Sequence, residues 1–239
     1  MRLDRFLCTV GLGSRSDVKK LIQKSRITAD GVVCKDPSFK IDENRTAVMF
    51  DGKPVIYKKN VYFMLNKPKG IISASRADLR NPDERCVVDL ISEEKHRSLF
   101  PVGRLDRDTE GLLLITDDGV LAHSLLSPSK HVNKTYLVGL RRELSPEDIT
   151  KLEAGVDIGD DTPTRPASVS EINKTSVYIT IHEGRFHQVK RMFEAVGNEV
   201  LTLKRISMGS LTLDPDLKPG EYRELTEDEL TGLKSGSAG

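Results

Sequence analysis

The pattern of apolar and polar positions near the start of the chain predicts two helices and a hairpin. Apolar residues recur at helical spacing from Arg2 to Val10, and glycines at positions 11 and 13 interrupt that pattern. Ser14 fits the cap of a second helix, whose apolar positions share one face. Residues 26–33 then alternate around an Asp30-Gly31 turn, which favours a short hairpin, and residues 46–50 predict a further strand.

The longer remainder of the chain mixes short apolar runs with helical periodicity. Runs bounded by turn residues predict strands at residues 61–65, 112–115, 134–138 and 177–181, and a returning strand within 203–213. Helical spacing and helix-start signals predict helices at residues 121–126, 145–155, 189–196 and 227–233. Strands and helices are therefore interspersed along this part of the chain.

Composition indicates a soluble globular protein with a substantial core. Of the 239 residues, 37% are apolar and 31% are charged, and the formal net charge is +1. This length suits one large domain or two unequal ones. Attraction for nucleic acid must then come from local patches, and residues 1–60 contain thirteen Lys or Arg against seven Asp or Glu. Basic residues dominate the second predicted helix, which favours contact with an RNA backbone over an ordinary solvated face.

The sequence gives no indication of a metal, a disulfide or a membrane span. Cys8, Cys34 and Cys86 have no CxxC spacing, and we interpret them as reduced thiols. The five histidines lack metal-ligand spacing, and neither a Walker loop nor a GxGxxG turn is present, so we expect no metal and no cofactor. No apolar run approaches ~20 residues and the first residues lack a signal-peptide core, so the expected location is the cytoplasm.

The densest chemical signal is the stretch Gly103–Gly119, which reads GRLDRDTEGLLLITDDG. A charged cluster precedes a short apolar run that we interpret as a buried strand, so the charges lie on a loop at the edge of that strand. Arg104, Asp106 and Asp108 could form a surface ion-pair cluster, as most such clusters do, or they could present side chains to a ligand. The residues alone leave both interpretations open.

The Arg-Leu-Asp and Thr-Glu-Gly-Leu-Leu-Leu parts of this stretch resemble the catalytic motif of pseudouridine synthases, in particular the branch that acts on small-subunit ribosomal RNA. The resemblance implies that Asp106 is the catalytic aspartate and that Arg104 contacts the phosphate backbone near a flipped nucleotide. Lys134-Thr135-Tyr136 is similar to the second motif of that family. This similarity implies that Tyr136 stacks on the target base or helps to move its proton.

The segment EGRFHQVKRMF, at residues 183–193, is similar to the third motif of the same family. In that family the basic residue after His-Gln-Val pairs with the catalytic aspartate, so the resemblance implies this role for Lys190. Most members carry arginine there, and a lysine keeps the charge but loses the bidentate fork, so we expect a looser ion pair. The resemblance also implies an apolar wall beside the base, formed here by Leu203 and Met208.

Residues 2–53, with the order helix, helix, hairpin, resemble the small RNA-binding module first known from a small-subunit ribosomal protein. We predict a basic RNA-binding domain at 1–53, a linker at 54–60, a catalytic domain at 61–233 and a tail at 234–239. The predicted fold class is α+β, with two helices and short strands in the first domain and a mixed, mainly antiparallel sheet flanked by helices in the second. The predicted RNA-binding residues are Arg2, Arg15, Lys19, Lys20, Lys24, Arg26 and, in the catalytic domain, Arg185.

These resemblances predict an isomerase that converts uridine to pseudouridine in ribosomal RNA, 16S rRNA in particular. The reaction needs an ionised carboxylate beside a flipped-out nucleotide, but no electron, phosphate or group donor. The expected partner is ribosomal RNA or a small-subunit assembly intermediate, bound by a monomer away from membranes. Two alternatives stay open at this point: a non-catalytic RNA-binding or assembly factor, and a hydrolase that pairs Asp106 with Asp108 or Glu110.

Overall fold

The computed structural model describes residues 1–76, 81, 83–92 and 98–236 of the chain. These residues divide into two compact units. The first unit contains Met1–Val61, and the second contains Tyr62–Ser92 and the chain from Leu99 onward. Each unit has its own sheet and its own buried apolar cluster.

The first unit begins with the two predicted helices, α1 (Leu3–Thr9) and α2 (Arg15–Gln23). Its short strands form one sheet in the order β2-β1-β3-β4, with bounds β1 Ile27–Ala29, β2 Val32–Val33, β3 Val48–Phe50 and β4 Lys53–Pro54. Ser14 caps α2, because its hydroxyl accepts a hydrogen bond from Asp17 N while the Asp17 carboxylate accepts one from Ser14 N. The apolar positions of the helical pattern are buried in one cluster: Leu3, Phe6, Leu7, Val18 and Ile22.

The second unit is built on a nine-stranded sheet. Its strands are β5 (Tyr62–Lys67), β6 (Phe100–Pro101), β7 (Glu110–Thr116), β8 (Lys134–Leu140), β9 (Ser168–Asn173), β10 (Ser176–Ile181), β11 (Val200–Met208), β12 (Leu211–Thr212) and β13 (Tyr222–Glu224). The main order is β13-β5-β7-β11-β8-β10-β9, with β6 beside β7 and β12 beside β11. Among these strands β7 and β11 pair in parallel, and the other pairs are antiparallel. The predicted mixed, mainly antiparallel sheet is confirmed.

The helices described in the second unit lie where the sequence predicted helices. They are α3 (Gly119–Leu126), α4 (Pro146–Ala154), α5 (Gln188–Ala195) and α6 (Glu227–Gly236). Asp118 begins α3 by accepting hydrogen bonds from the first backbone N–H groups, and Ser145 caps α4 ahead of Pro146, whose missing N–H is not needed there. The core joins β5, β7, α3 and β11 through Met64, Leu112, Leu114, Leu121, Leu125 and Met208.

Three short features differ from the sequence pattern. Strands β6 and β13 are two and three residues long, too short for alternation to be visible in the sequence. Helix α6 ends at Gly236, so residues 234–236 of the predicted tail are helical. The last three residues of that tail, 237–239, lie outside the described residues. Strand β4 includes Pro54, which was predicted to begin the linker.

Candidate active site

The loop before β7 carries Asp106. Ser73, which is buried, holds the middle of this loop: its Oγ donates to Leu105 O at 2.8 Å and accepts from Leu105 N at 3.1 Å. Arg107 and Gly70 are joined twice, by Gly70 N to Arg107 O at 2.7 Å and by Arg107 Nε to Gly70 O at 3.1 Å. These contacts restrict the backbone of the loop, so Asp106 is presented from a well-supported position.

A buried lysine supports the same loop from the end of β5. The side chain of Lys67 is fully buried. Its Nζ donates to the carbonyl oxygens of Pro68 at 3.0 Å, Arg107 at 3.3 Å and Thr109 at 2.9 Å. Burial lowers the pKa of Lys67 to about 8, and nearby carboxylates, Asp108 first among them, act in the opposite direction. Three carbonyl acceptors thus satisfy this amine inside the protein and bind the loop to β5.

Asp106 and Lys190 lie next to each other, as the resemblance implied. Lys190, on α5, has its Nζ 3.5 Å from Asp106 Oδ2. The same Nζ donates to both carboxylate oxygens of Asp108, at 2.6 and 2.8 Å. These hydrogen bonds lower the pKa of the Asp108 carboxyl group. The Asp106 side chain is 27% exposed and that of Lys190 is 21% exposed, so the pair is partly shielded from water.

A second basic side chain faces Asp106, and the sequence interpretation gave it no catalytic role. His187 Nε2 lies 3.5 Å from Asp106 Oδ1, the oxygen opposite the one that faces Lys190. The backbone of His187 is left-handed, with φ 51°, which is uncommon for a residue other than glycine. Its ring stacks on Phe186, with centroids 3.8 Å apart. Phe186 is nevertheless 76% exposed, and it lines the same cavity as Asp106.

Asp106 opens onto a cavity of about 840 Å³ in the second unit. Five of the predicted site residues line this cavity: Arg104, Asp106, Tyr136, Arg185 and Leu203. Tyr136 is 8% exposed on β8, so its ring forms part of the wall. The volume lies within the range of roughly 300–1,000 Å³ that is common for small-ligand sites. The cavity is therefore large enough for one extruded base.

Met208 lies away from this cavity. It is 2% exposed and packs in the core cluster with Leu211 of β12 and Leu233 of α6. The apolar wall predicted from Leu203 and Met208 is therefore supplied by Leu203 together with other cavity-lining side chains, such as Ile181. Packing from α6 and β12, which sequence alone does not reveal, covers Met208.

The predicted RNA-binding residues fall into two groups. Those of the first unit are exposed: Arg2, Arg15, Lys19, Lys20, Lys24 and Arg26. Two of these side chains are held by carboxylates, since Arg2 Nη2 lies 2.7 Å from Asp4 Oδ2 and Arg26 Nε donates to Asp51 Oδ1 at 2.9 Å. Arg185, in the second unit, is tied down more firmly: it donates to Thr162 O at 2.6 Å and to Glu183 Oε2 at 3.2 Å.

Two cations in the cavity wall were missed by the sequence interpretation. Lys134 precedes Tyr136 by two positions on β8, and Arg205 follows Leu203 by two positions on β11. Both line the cavity. The alternation of a strand was the available signal, because residues two apart share one face of the sheet.

Two further properties concern metals and membranes. In the described residues, His, Cys, Asp and Glu side chains form no group of three or more that could hold a metal ion. None of the helices in the described part of the chain combines the length and the apolar composition of a membrane span.

Comparison with known proteins identifies the class to which this fold and site belong. Residues 61–195 match the RNA pseudouridylate synthase family, and residues 1–46 match the S4 domain. The first match covers more than half of the chain. The chain belongs to the RNA pseudouridine synthase family, and the protein is an isomerase.

Individual relatives agree over almost the full length. The chain is 50% identical over 235 residues to the Bacillus subtilis RNA pseudouridine synthase YtzG, covering 96% of this chain and 97% of that protein. It is 41% identical to ribosomal small subunit pseudouridine synthase A of Escherichia coli K12, covering 98% and 100%. A crystal structure of a pseudouridylate synthase superposes with a TM-score of 0.68 at 36% identity, covering 98% of this chain and 99% of that one. The predicted family and fold are confirmed, and a non-catalytic factor is disfavoured.

Proposed function

We propose that this protein converts uridine to pseudouridine in small-subunit (16S) ribosomal RNA and that Asp106 is its catalytic carboxylate. The E. coli relative, which is matched over its whole length, is named as a small-subunit enzyme. The observation that carries the proposal is the placement of Asp106, which lines a base-sized cavity with Tyr136 and lies 3.5 Å from Lys190 Nζ. A carboxylate in that position lies beside a cation and shares the cavity with an aromatic ring that can stack on a base.

The isomerisation exchanges one bond of the nucleotide for another. The bond from N1 of the base to C1′ of the ribose breaks, a bond from C5 to C1′ forms, the C5 proton is released, and N1 gains a proton. Asp106 adds to or stabilises the electrophilic centre exposed during this exchange. Lys190 and His187, on opposite oxygens, restrict the orientation of the carboxylate.

The RNA-binding role is assigned to the first unit, which matches the S4 domain. The side chains of Arg15, Lys19, Lys20 and Lys24 are exposed along α2. An exposed row of cations binds phosphates with little regard to base identity. In this proposal, α2 supplies affinity and the cavity of the second unit supplies the chemistry.

The test is tritium release from ribosomal RNA labelled at carbon 5 of uridine. We expect the wild-type protein to release tritium from 16S rRNA or from a partly assembled small subunit, with RNA mass unchanged in unlabelled substrate. Asp106→Asn should lower release by at least about 10⁴-fold while RNA binding persists, because the amide keeps the shape but loses the charge. Asp228→Asn, an exposed carboxylate at the start of α6, is the matched control and should retain wild-type turnover.

Equal tritium release by Asp106→Asn and wild type would refute the assignment of Asp106. Tritium release from labelled 23S rRNA but not from labelled 16S rRNA would refute the small-subunit assignment. The carboxylate-pair hydrolase predicts free base or a cut strand. The geometry disfavours it because Asp108 is occupied by Lys190, and Glu110 lies 3.7 Å from the Lys69 ammonium.

A further inference from the structure

Two cations and a tyrosine form one wall of the cavity. Lys134 and Tyr136 are two residues apart on β8, so their side chains share one face of the sheet. Arg205 of β11 pairs directly with Tyr136, and Met208 pairs with Lys134 across the same two strands. The first three of these side chains line the cavity. We call Lys134 and Arg205 the cationic wall.

Arg205 has a donor without a partner. The residue is 2% exposed, and its Nε donates to Leu112 O at 2.8 Å, which joins β11 to β7. Its Nη2 is buried and has no hydrogen-bond acceptor among the described residues. A buried guanidinium nitrogen without an acceptor is unfavourable, and such a group calls for a partner such as a water molecule, an ion or a ligand. Arg205 also lines the cavity.

Lys134 is also incompletely paired. Its Nζ donates to Val132 O at 2.9 Å. Burial and, to a smaller extent, repulsion from Arg205 lower its pKa to about 8, whereas Glu183 acts in the opposite direction. Among the described residues, no carboxylate forms an ion pair with Lys134 or Arg205. The cationic wall thus carries positive charge that the protein itself does not neutralise.

Glu183 does not serve as the missing counter-ion, because its carboxylate is engaged on the other side. Its Oε1 accepts from Arg165 N at 3.0 Å and from Gln188 Nε2 at 2.9 Å. Its Oε2 accepts from Arg185 Nε at 3.2 Å. Both oxygens of Glu183 are therefore occupied by Arg165, Gln188 and Arg185.

We propose that Lys134 and Arg205 bind the carbonyl oxygens of the target base and stabilise the negative charge that the base acquires during isomerisation. This inference rests on the proposed function. When the N1–C1′ bond breaks, its electron pair stays on the base, and the charge is shared by N1, O2 and O4. If Asp106 instead adds to the pyrimidine ring, the displaced electron pair moves onto O4. In either case donors already in place near those oxygens stabilise the charge as it develops.

The same wall would discriminate uridine from cytidine. Uracil presents carbonyl acceptors at positions 2 and 4, whereas cytosine presents an amino group at position 4. Lys134 and Arg205 offer only donors. A cytosine amino group facing them would leave buried donors unpaired, and sites built on such hydrogen bonds reject the wrong ligand strongly.

The first experiment separates charge stabilisation from RNA binding. Tritium release would be measured for wild type, Lys134→Met, Lys134→Arg and Arg205→Gln. The control is Lys174→Met, which removes a lysine whose side chain is 84% exposed. We expect Lys134→Met and Arg205→Gln each to lower kcat by about 100-fold or more, with the RNA Kd within about threefold of wild type. Lys134→Arg should recover at least a tenth of wild-type kcat. Thermal unfolding would check that each variant is folded.

A pH profile adds a readout that a structural role would not change. Other ionisable groups line the cavity on the strand that carries Lys134 and on the segments next to that strand. They are Tyr136, Arg205, His182 and Glu183. Wild-type kcat/KM should fall above about pH 8 as Lys134 of the free enzyme loses its proton. Lys134→Arg should shift that decline to higher pH, because arginine stays protonated. Lys67 also has a pKa of about 8. If its deprotonation caused the decline in kcat/KM, Lys134→Arg would leave that decline unchanged.

The outcomes are distinct. Suppose that the wild-type protein releases tritium and that Lys134→Met and Arg205→Gln are equally active. That result would overturn this inference and leave the proposed function standing. A Lys134→Arg variant that is no better than Lys134→Met, or that keeps the decline near pH 8, would also overturn it. Wild type that releases no tritium from ribosomal RNA would overturn both. Loss of kcat at constant RNA affinity, with recovery by arginine, would support the cationic wall.

Discussion

Lys190 shows how a single side chain serves two carboxylates. It donates to both oxygens of Asp108 and lies 3.5 Å from Asp106. An arginine has a planar fork and could hold one carboxylate with two parallel bonds, whereas an ammonium is a compact charge. The distance of 3.5 Å from Lys190 Nζ to Asp106 is longer than its distances of 2.6 and 2.8 Å to Asp108. His187 approaches the other oxygen of Asp106, with Nε2 at 3.5 Å from Oδ1.

Glu229, unlike Asp106, is a carboxylate whose two oxygens both accept short hydrogen bonds. Both of its oxygens accept from Arg223, each at 2.8 Å, and Oε2 also accepts from Thr226 N at 2.8 Å. The hydrogen bonds from Arg223 lower the pKa of Glu229 to about 2 from the ordinary 4.5. A lowered carboxyl pKa stabilises the fold above the unfolded-state value, and that stabilisation is lost as pH falls towards 2.

We therefore expect Glu229→Gln to lower the free energy of unfolding at pH 7 by about 1–2 kcal/mol, a value reduced from the full linkage energy because the site is partly exposed. The difference between wild type and variant should shrink as pH falls from about 4.5 to 2. Urea unfolding at several pH values would measure it. Glu227→Gln, in the same helix and exposed, is the control. A constant difference across that pH range would contradict the role of Glu229.

At the scale of elements, the junction of β7 and β11 determines the site. The two strands pair in parallel through Glu110 and Gly111 on one side and Lys204 and Arg205 on the other. Gly111 has φ +101°, and a Cβ there would lie 2.2 Å from Arg205 O and 2.8 Å from Arg205 N. The glycine in the TEGLLL run is thus required by the close approach of two backbones as well as by its own conformation.

Gly111→Ala should lower the free energy of unfolding by about 3 kcal/mol or more, because neither backbone can move without breaking strand pairing. It should also lower tritium release in the folded fraction, since Arg205 would shift. Gly119→Ala, at the first position of α3 with open space around it, should stay within about 0.5 kcal/mol of wild type. Thermal unfolding of both variants is the measurement, and similar stabilities would contradict the proposed clash.

At the scale of the whole molecule, a chain with a net charge of +1 separates its charge between units. The exposed cations of α2 belong to the unit that matches the S4 domain, and Asp106 belongs to the other. In the proposed function, affinity for nucleic acid comes from this local patch, because the overall charge is too small to attract a polyanion.

The triple variant Lys19→Ala/Lys20→Ala/Lys24→Ala should weaken RNA binding and make its salt dependence shallower by about two to three counterions. The slope of log Kd against log salt concentration is the measurement. Its control, Lys151→Ala/Lys174→Ala/Lys218→Ala, removes the same charge from the second unit. Equal slopes for wild type and the α2 variant would exclude this helix from the RNA interface.

Much of this architecture could be predicted from sequence because it has a local signal. Ser14 and Ser145 mark helix starts through their own side chains, and the apolar run of β7 is visible without its partners. The motif resemblance predicted Asp106 and Lys190 as neighbours, and the structure places them 3.5 Å apart. Lys67 and Arg205 could not be found in this way, because a cation in a sequence is read as exposed until its carbonyl acceptors are located. Met208 depended on the covering contacts of α6.

The strand order has a consequence for synthesis of the protein. β7, the strand that follows the Asp106 loop, lies between β5 and β11, and β5, the first strand of this sheet, also pairs with β13. Both β5 and β7 therefore need a partner strand from the last fifth of the chain. Such long-range pairing is slow to form and leaves strand edges open while the nascent polypeptide is incomplete. Arg205 and its neighbours must leave the ribosome before the cavity exists. The cavity is therefore complete only after the residues of β11 have been synthesised.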